Sequence, residues 1–172
     1  MRPTAIRRIA AAQLEYGVDL ATRPGEFLTM REDYRGQLWV RSAKYSETNG
    51  KGLQQVRMLV VDTLDPFEID ELKDIATLLL AERANGAMTA SLLRRCQHAI
   101  RDARNAVGGR SRLVTAYTVR HQARANMSAM GMTPEEVAVV MNHASAPGLE
   151  GRSGHKTACG RSRTGRQGSL RQ

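Results

Sequence analysis

The chain has 172 residues, with 26 lysines and arginines against 17 acidic residues, a formal net charge of +9. Apolar residues make up 41% of it, enough for a folded core, which excludes wholesale disorder. Two cysteines exclude a disulfide framework or a four-cysteine zinc site, and no apolar run approaches the ~20 residues that span a bilayer. The excess positive charge favours a polyanionic partner, with nucleic acid the first candidate and an anionic membrane surface a distant second.

Hydrophobic periodicity and turn residues divide the chain into elements. In chain order they are helices over 3–16 and 22–30, strands over 37–43 and 54–61, and helices over 66–84, 88–106, 116–130 and 134–142. An Asn49-Gly50 pair between the strands suits a hairpin turn with positive φ. Asp65, Thr115 and Thr133 are typical residues for capping the helices that follow them.

This order predicts an α+β fold that is mainly α-helical, with a small antiparallel β-hairpin near the N-terminus. The charge is unevenly spread, because residues 146–172 carry +5 and the preceding residues carry +4. The 146–172 segment is rich in Gly, Ser and Arg and poor in large apolar residues. We therefore expect one domain over 1–145 and a flexible basic tail over 146–172.

The two long central helices each have one apolar face. The residues expected to face the core are Ile69, Leu72, Ile75, Ala76, Leu79 and Leu80 in the first helix, and Met88, Leu92, Cys96, Ala99, Ile100 and Ala103 in the second. The opposite face of the second helix is basic, with Arg94, Arg95, His98, Arg101 and Arg104. This stripe fits a solvated surface, and DNA contact is the alternative.

Two motifs in the C-terminal third indicate a family. Tyr117-Thr-Val-Arg120-His121 is followed, 23 residues after Arg120, by a helix that ends in His143-Ala-Ser145. This arrangement resembles the His-x-x-Arg and Gly-His-x-Ser boxes of the tyrosine recombinases, or phage integrases. Near the N-terminus, Arg23-Pro-Gly-Glu26 is similar to the first arginine box of that family.

The resemblance implies a site for transesterification at a DNA phosphodiester. Arg23 and Arg120 would bind the non-bridging oxygens, Glu26 would orient Arg23, and His143 would support the charged transition state. Lys44 stands where the family has its catalytic lysine, which protonates the leaving oxygen, and Lys51 is the alternative. Side-chain cations supply the charge that Mg²⁺ provides elsewhere, so no metal or other cofactor is implied.

The chain departs from the family at two catalytic positions. Tyr117 replaces the usual histidine, although its hydroxyl can donate to a phosphate. No tyrosine follows it, and Cys159 stands at the position of the tyrosine nucleophile. The cysteine sulfur lies one bond beyond Cβ, whereas the phenolic oxygen lies beyond a whole ring. A thiolate would not reach an unmoved phosphate, so we predict impaired strand cleavage.

Double-stranded DNA and other recombinase protomers are the implied partners, and a membrane is not. The residues expected to contact DNA are Arg23, Lys44, Lys51, Arg120, His121, Arg161, Arg163 and Arg166. We expect a cytoplasmic, nucleoid-associated protein. Only 22 residues precede Arg23, so we also expect a truncated chain without the DNA-clamping domain of the family.

A second interpretation is a non-enzymatic DNA-binding or regulatory module. Residues 114–145 form two predicted helices joined at Gly131, as in a helix-turn-helix, and the second would enter the major groove. That helix, 134–142, begins with two glutamates and is then apolar, without Arg, Lys or Gln to reach base edges. The pattern therefore favours the recombinase interpretation.

Overall fold

Seven helices and three strands occupy the residues that the computed structural model describes, which are 4–43, 45, 53–107 and 114–143. The helices are α1 (Ala5–Glu15), α2 (Gly17–Leu20), α3 (Pro24–Phe27), α4 (Pro66–Ala84), α5 (Thr89–Val107), α6 (Ala116–Ala129) and α7 (Pro134–Val140). The strands are β1 (Arg31–Glu32), β2 (Leu38–Arg41) and β3 (Val56–Met58). The architecture is α+β and mainly helical, as predicted.

The three predicted helix caps are confirmed. Asp65 accepts a hydrogen bond from the Glu68 amide at 2.9 Å, and the Glu68 carboxylate accepts one from the Asp65 amide at 2.9 Å. Thr133 and Glu136 make the same reciprocal pair at the start of α7. Thr115 caps α6 through the Thr118 amide. These bonds satisfy amides that have no partner within the helix, which fixes where each helix begins.

The segment after Arg23 differs from the prediction of one helix through Met30. Helix α3 ends at Phe27, and the chain then passes through Met30 into β1. Phe27, Leu28 and Met30 are all buried, but the last two lie in an irregular segment. The guanidinium of Arg83 donates to the Leu28 carbonyl at 2.7 Å and the Met30 carbonyl at 3.0 Å. A distant side chain thus satisfies two carbonyls beyond the end of α3.

The sheet is antiparallel with the order β1-β2-β3. The predicted pairing of the two longer strands is confirmed, with Val40 opposite Arg57 in the register. The Asn49-Gly50 turn lies outside the described residues. Strand β1 was not predicted, because its two exposed charged residues have no apolar alternation. Since Val40 faces the core and cross-strand partners share a face, Arg57 also points inward.

The main core lies where α1, α4 and α5 meet the sheet. Helix α4 contributes Leu72, Ile75, Ala76 and Leu79, and α5 contributes Leu92, Cys96 and Ile100, all as predicted. Three expected core residues are exposed instead, namely Leu80, Met88 and Ala103. Leu80 is rotated by ~100° from Leu79 around the helix, away from α1 and β1. Met88 precedes the first turn of α5, and Ala103 lies on the rim of a groove between α1 and α5.

A smaller apolar cluster joins the end of α2 to α6 and α7. It consists of Ala21, Ala123, Val137 and Met141. Gly17 allows the close approach of α2 to α6, because a Cβ atom there would lie 2.8 Å from Cγ1 of Val119. This cluster brings the two predicted arginine boxes side by side.

Candidate functional site

Glu26 is the centre of the candidate site and is completely buried. Its Oε2 accepts a hydrogen bond from the Arg23 amide at 2.9 Å, and its Oε1 accepts one from Arg23 Nη1 at 2.6 Å. Oε1 also accepts from the amide of Ala43, two residues beyond the end of β2, at 3.4 Å. Gln13 in α1 donates to the Pro24 carbonyl at 2.8 Å and so fixes the start of α3. The short helix thus holds Arg23 and Glu26 as one unit.

Arg120 approaches the same carboxylate from α6. Its Nη1 lies 3.8 Å from Glu26 Oε2 and donates to the carbonyl of Ala21, and its Nη2 donates to the Met141 carbonyl at 2.6 Å. Ala21 has a φ of 48°, a left-handed conformation that alanine seldom adopts. This backbone conformation ends α2 where its carbonyl accepts the guanidinium.

Arg57, on β3, is a third arginine near Glu26. Its Nη2 lies 3.9 Å from Glu26 Oε2, and its Nη1 donates to the Val140 carbonyl at 3.3 Å. The Nε and Nη2 groups of Arg57 are buried and have no hydrogen-bond acceptor among the described residues. Arg57 therefore adds a positive charge to the site with part of its donor capacity unused.

The end of α7 brings His143 to the cluster. Nε2 of His143 lies 3.2 Å from Nη2 of Arg120. The preceding residue, Asn142, has a φ of 52°, a left-handed conformation that asparagine tolerates better than most residues. The turn directs the chain from α7 back toward α6 and Arg120.

The site has two positive charges more than its carboxylate balances. Burial by itself would raise the pKa of Glu26, but the Arg23 amide and guanidinium, with Arg120, hold it below its ordinary value. Burial lowers the pKa of Arg120 to about 10, with repulsion from Arg23 and Arg57 acting in the same direction and Glu26 opposing it. Burial also lowers the pKa of Arg57. Three guanidinium groups thus surround one carboxylate, so a bound anion would stabilise the cluster.

The structure brings together four of the residues that the sequence motifs suggested: Arg23, Glu26, Arg120 and His143. Their guanidinium, carboxylate and imidazole groups come from α3, α6 and the residues after α7. The other predicted residues Lys44, Lys51, Cys159, Arg161, Arg163 and Arg166 lie outside the described residues, as does Ser145.

Tyr117 and His121 are exposed on α6, on either side of Arg120 in the sequence. Tyr117 lines a groove with three members of the basic stripe on α5, namely His98, Arg101 and Arg104. This groove lies one helical turn before Arg120, so the basic face of α5 continues toward the start of α6.

Arg57 and Asn142 contribute to the site but were not selected from the sequence. The sequence does contain an indication for Arg57. Residues 57, 59 and 61 share one face of the predicted strand, and Leu59 on that face is buried. A charged residue on that inward face indicates a buried ionic contact. For Asn142, its position between a capped helix and His143 favours a left-handed turn but does not identify a partner.

The described segments contain no group of three His, Cys, Asp or Glu side chains that could hold a metal ion. Within the same segments, no helix combines the length and apolar character needed to cross a membrane. Comparisons with protein-family models, curated proteins and solved structures find no match for this chain.

Proposed function

We propose that this protein binds DNA by holding a backbone phosphate between Arg23, Arg120 and His143, and that it resembles a tyrosine recombinase with impaired strand cleavage. The observation that supports this proposal most is the meeting of Arg23 and Arg120 on the buried Glu26, with His143 3.2 Å from Arg120. Residues that are far apart in the sequence thus meet at one carboxylate, which supports the proposal.

The charge and geometry of the cluster suit a phosphodiester. A guanidinium group is planar and can bind two oxygens of one phosphate. Both Nη groups of Arg120 already donate to the Ala21 and Met141 carbonyls, so Arg120 contributes to anion binding mainly through its charge. Glu26 cancels one positive charge and orients Arg23, so the cluster retains an excess for an anionic ligand. In a transesterification, the same donors would stabilise the added charge of a pentacoordinate transition state.

Impaired cleavage follows from the chemistry of the nucleophile position. The resemblance assigns Cys159 to the position of the tyrosine nucleophile, and a cysteine side chain is shorter than a tyrosine side chain by a whole ring. Phosphate binding does not need the nucleophile, so DNA binding is expected to persist without strand transfer.

The exposed surface of α7 gives no support to the helix-turn-helix alternative. Val137, Ala138 and Met141 pack inward, whereas Glu135, Glu136, Val139 and Val140 are exposed. Carboxylates repel the phosphate backbone, and valines cannot hydrogen-bond to bases. We therefore retain the phosphate-binding cluster as the site.

A salt titration of duplex binding tests the proposal. We expect Arg23→Gln to weaken binding and to lower the slope of log affinity against log salt concentration by about 1, as for the loss of one phosphate contact. Arg8→Gln is the matched control, since Arg8 makes an exposed ion pair with Asp74 at 3.5 Å. The control should retain most of the wild-type slope.

A second set of binding measurements is needed for the basic tail, because its own positive charge also attracts DNA. In a full-length chain with Arg161, Arg163 and Arg166 changed to Gln, the effect of Arg23→Gln should persist. If Arg23→Gln and Arg8→Gln behave alike in both backgrounds, binding does not involve the cluster and the proposal is wrong.

A further inference from the structure

Asn142 makes three hydrogen bonds to a segment that is distant in the sequence. Its Oδ1 accepts from the amides of Leu53 and Gln54 at 2.8 and 3.1 Å, and its Nδ2 donates to the Gln54 carbonyl at 3.2 Å. The residue is almost completely buried. Its side chain thus hydrogen-bonds to the backbone of residues 53–54 through both of its polar atoms.

The two ends of this contact each adjoin a candidate site residue. Asn142 directly precedes His143, and Leu53 follows Lys51 by two residues in the sequence. Gln54 leads into β3, which carries Arg57. The Asn142 side chain therefore links the residue before His143 to the segment that leads into β3.

Two arginines of the site bind the same turn at the end of α7. Arg57 donates to the Val140 carbonyl at 3.3 Å, and Arg120 donates to the Met141 carbonyl at 2.6 Å. Carbonyls at a helix C-terminus carry partial negative charge and favour cationic donors. Three successive residues, 140–142, are thus hydrogen-bonded to residues outside α7.

Asparagine combines the two properties that this position requires. It tolerates the left-handed φ of 52°, and its amide supplies both an acceptor and a donor. Glycine would provide the backbone conformation without the hydrogen bonds. Aspartate would keep the acceptor for the two amides but lose the donor to Gln54.

We propose that Asn142 is a positioning residue that holds His143 against the Arg120 guanidinium and ties it to the start of β3. The inference rests on the proposed function for the role of His143 in binding phosphate. The hydrogen bonds themselves do not depend on that function, so the two can be tested apart.

The experiment compares the full-length wild type with Asn142→Gly, Asn142→Asp and the control Arg8→Gln by NMR, with and without inorganic phosphate. In Asn142→Gly, the amides of Leu53 and Gln54 should exchange with solvent at least about tenfold faster, since each loses its acceptor. The imidazole resonances of His143 should shift, and their response to phosphate should be lost. Asn142→Asp should retain slow exchange at both amides, and Arg8→Gln should match the wild type.

Unchanged His143 resonances in Asn142→Gly would overturn the proposal, whatever the exchange rates. Unchanged exchange at Leu53 and Gln54 would also overturn it, because the hydrogen bonds to Asn142 would then not protect these two amides from solvent. If wild-type His143 does not respond to phosphate, the proposed function fails. The phosphate-free resonances of His143 and the two exchange rates still decide whether Asn142 positions the imidazole.

Discussion

Nη1 of Arg120 lies 3.8 Å from Oε2 of Glu26, and the carboxylate has no exposure to solvent. Removing both charges from water costs several kcal/mol per ion, so such a pair adds little net stability compared with an apolar contact. Its main consequence is positional, because the pair connects the short helix α3 to α6. Breaking the pair from one side, however, leaves buried charges uncompensated.

Changing Glu26→Gln should therefore destabilise the fold by about 2–4 kcal/mol, because three partly buried guanidinium groups would lose their carboxylate. Urea unfolding measures this difference. Glu32→Gln is the matched control, since Glu32 pairs with Lys73 at 3.7 Å near the surface and should change stability by less than about 1 kcal/mol. Equal losses in the two variants would contradict the central role of Glu26.

The stability that Glu26 contributes should also depend on pH. Its folded pKa lies below the ordinary value of 4.5, so in the acidic range the unfolded chain binds the proton more readily. The contribution is complete above the ordinary value and is lost as the pH falls through the folded value. The difference in unfolding free energy between wild type and Glu26→Gln should thus be smaller at about pH 3.5 than at about pH 6.5. A difference that stays constant would rule out this titration.

Arg83 should stabilise the irregular segment between α3 and β1. Its guanidinium bonds two carbonyls at once, those of Leu28 and Met30, and a lysine ammonium does not reproduce that fork. We expect Arg83→Lys to reduce the unfolding free energy by about 1–2 kcal/mol. Arg95→Lys, at an exposed pair with Glu82, should change it by less than about 0.5 kcal/mol. Similar values for both variants would show that the two hydrogen bonds of Arg83 do not contribute to the unfolding free energy.

Elements with their own local signals were predictable from the sequence. The caps at Asp65, Thr115 and Thr133 depend on short-range chemistry, and each of the two longer strands was indicated by its own run of strand-forming residues. Features decided by tertiary contacts were not. The end of α3 depends on the distant Arg83, and β1 exists because it pairs with β2 rather than through any propensity of its own residues.

The candidate site divides in the same way. The motif resemblance selected Arg23, Arg120 and His143. Because the family brings these motifs together in one site, the resemblance also predicted that the three residues lie close together. Arg57 and Asn142 belong to no such motif, and only the folded chain brings them within 4 Å of their partners. Their selection would have required knowing that β3 lies beside the end of α7.

Strand cleavage should be undetectable under conditions where the chain binds DNA. We expect no covalent protein–DNA adduct that survives denaturant when the protein is incubated with a nicked duplex, because a thiolate at Cys159 lacks the reach of a tyrosine. If an adduct forms and Cys159→Ser abolishes it, the prediction of impaired cleavage is wrong. Cys96→Ser is the control, because burial raises the pKa of that thiol to about 11 and keeps it from acting as a nucleophile.

Arg57 should contribute to anion binding through its charge, although two of its donor groups are buried. Arg57→Gln removes one positive charge beside Glu26 and Arg120, and it also relieves repulsion that lowers the pKa of Arg120. We expect duplex binding at low salt to weaken by about three- to tenfold, equivalent to the loss of roughly 1 kcal/mol of electrostatic attraction. Urea unfolding should show a smaller change than for Glu26→Gln, since the lost cation was only partly paired.

Arg57→Lys keeps the charge and should restore most of the affinity. Failure of lysine to restore binding would assign Arg57 a role through its hydrogen bond to Val140 rather than through its charge.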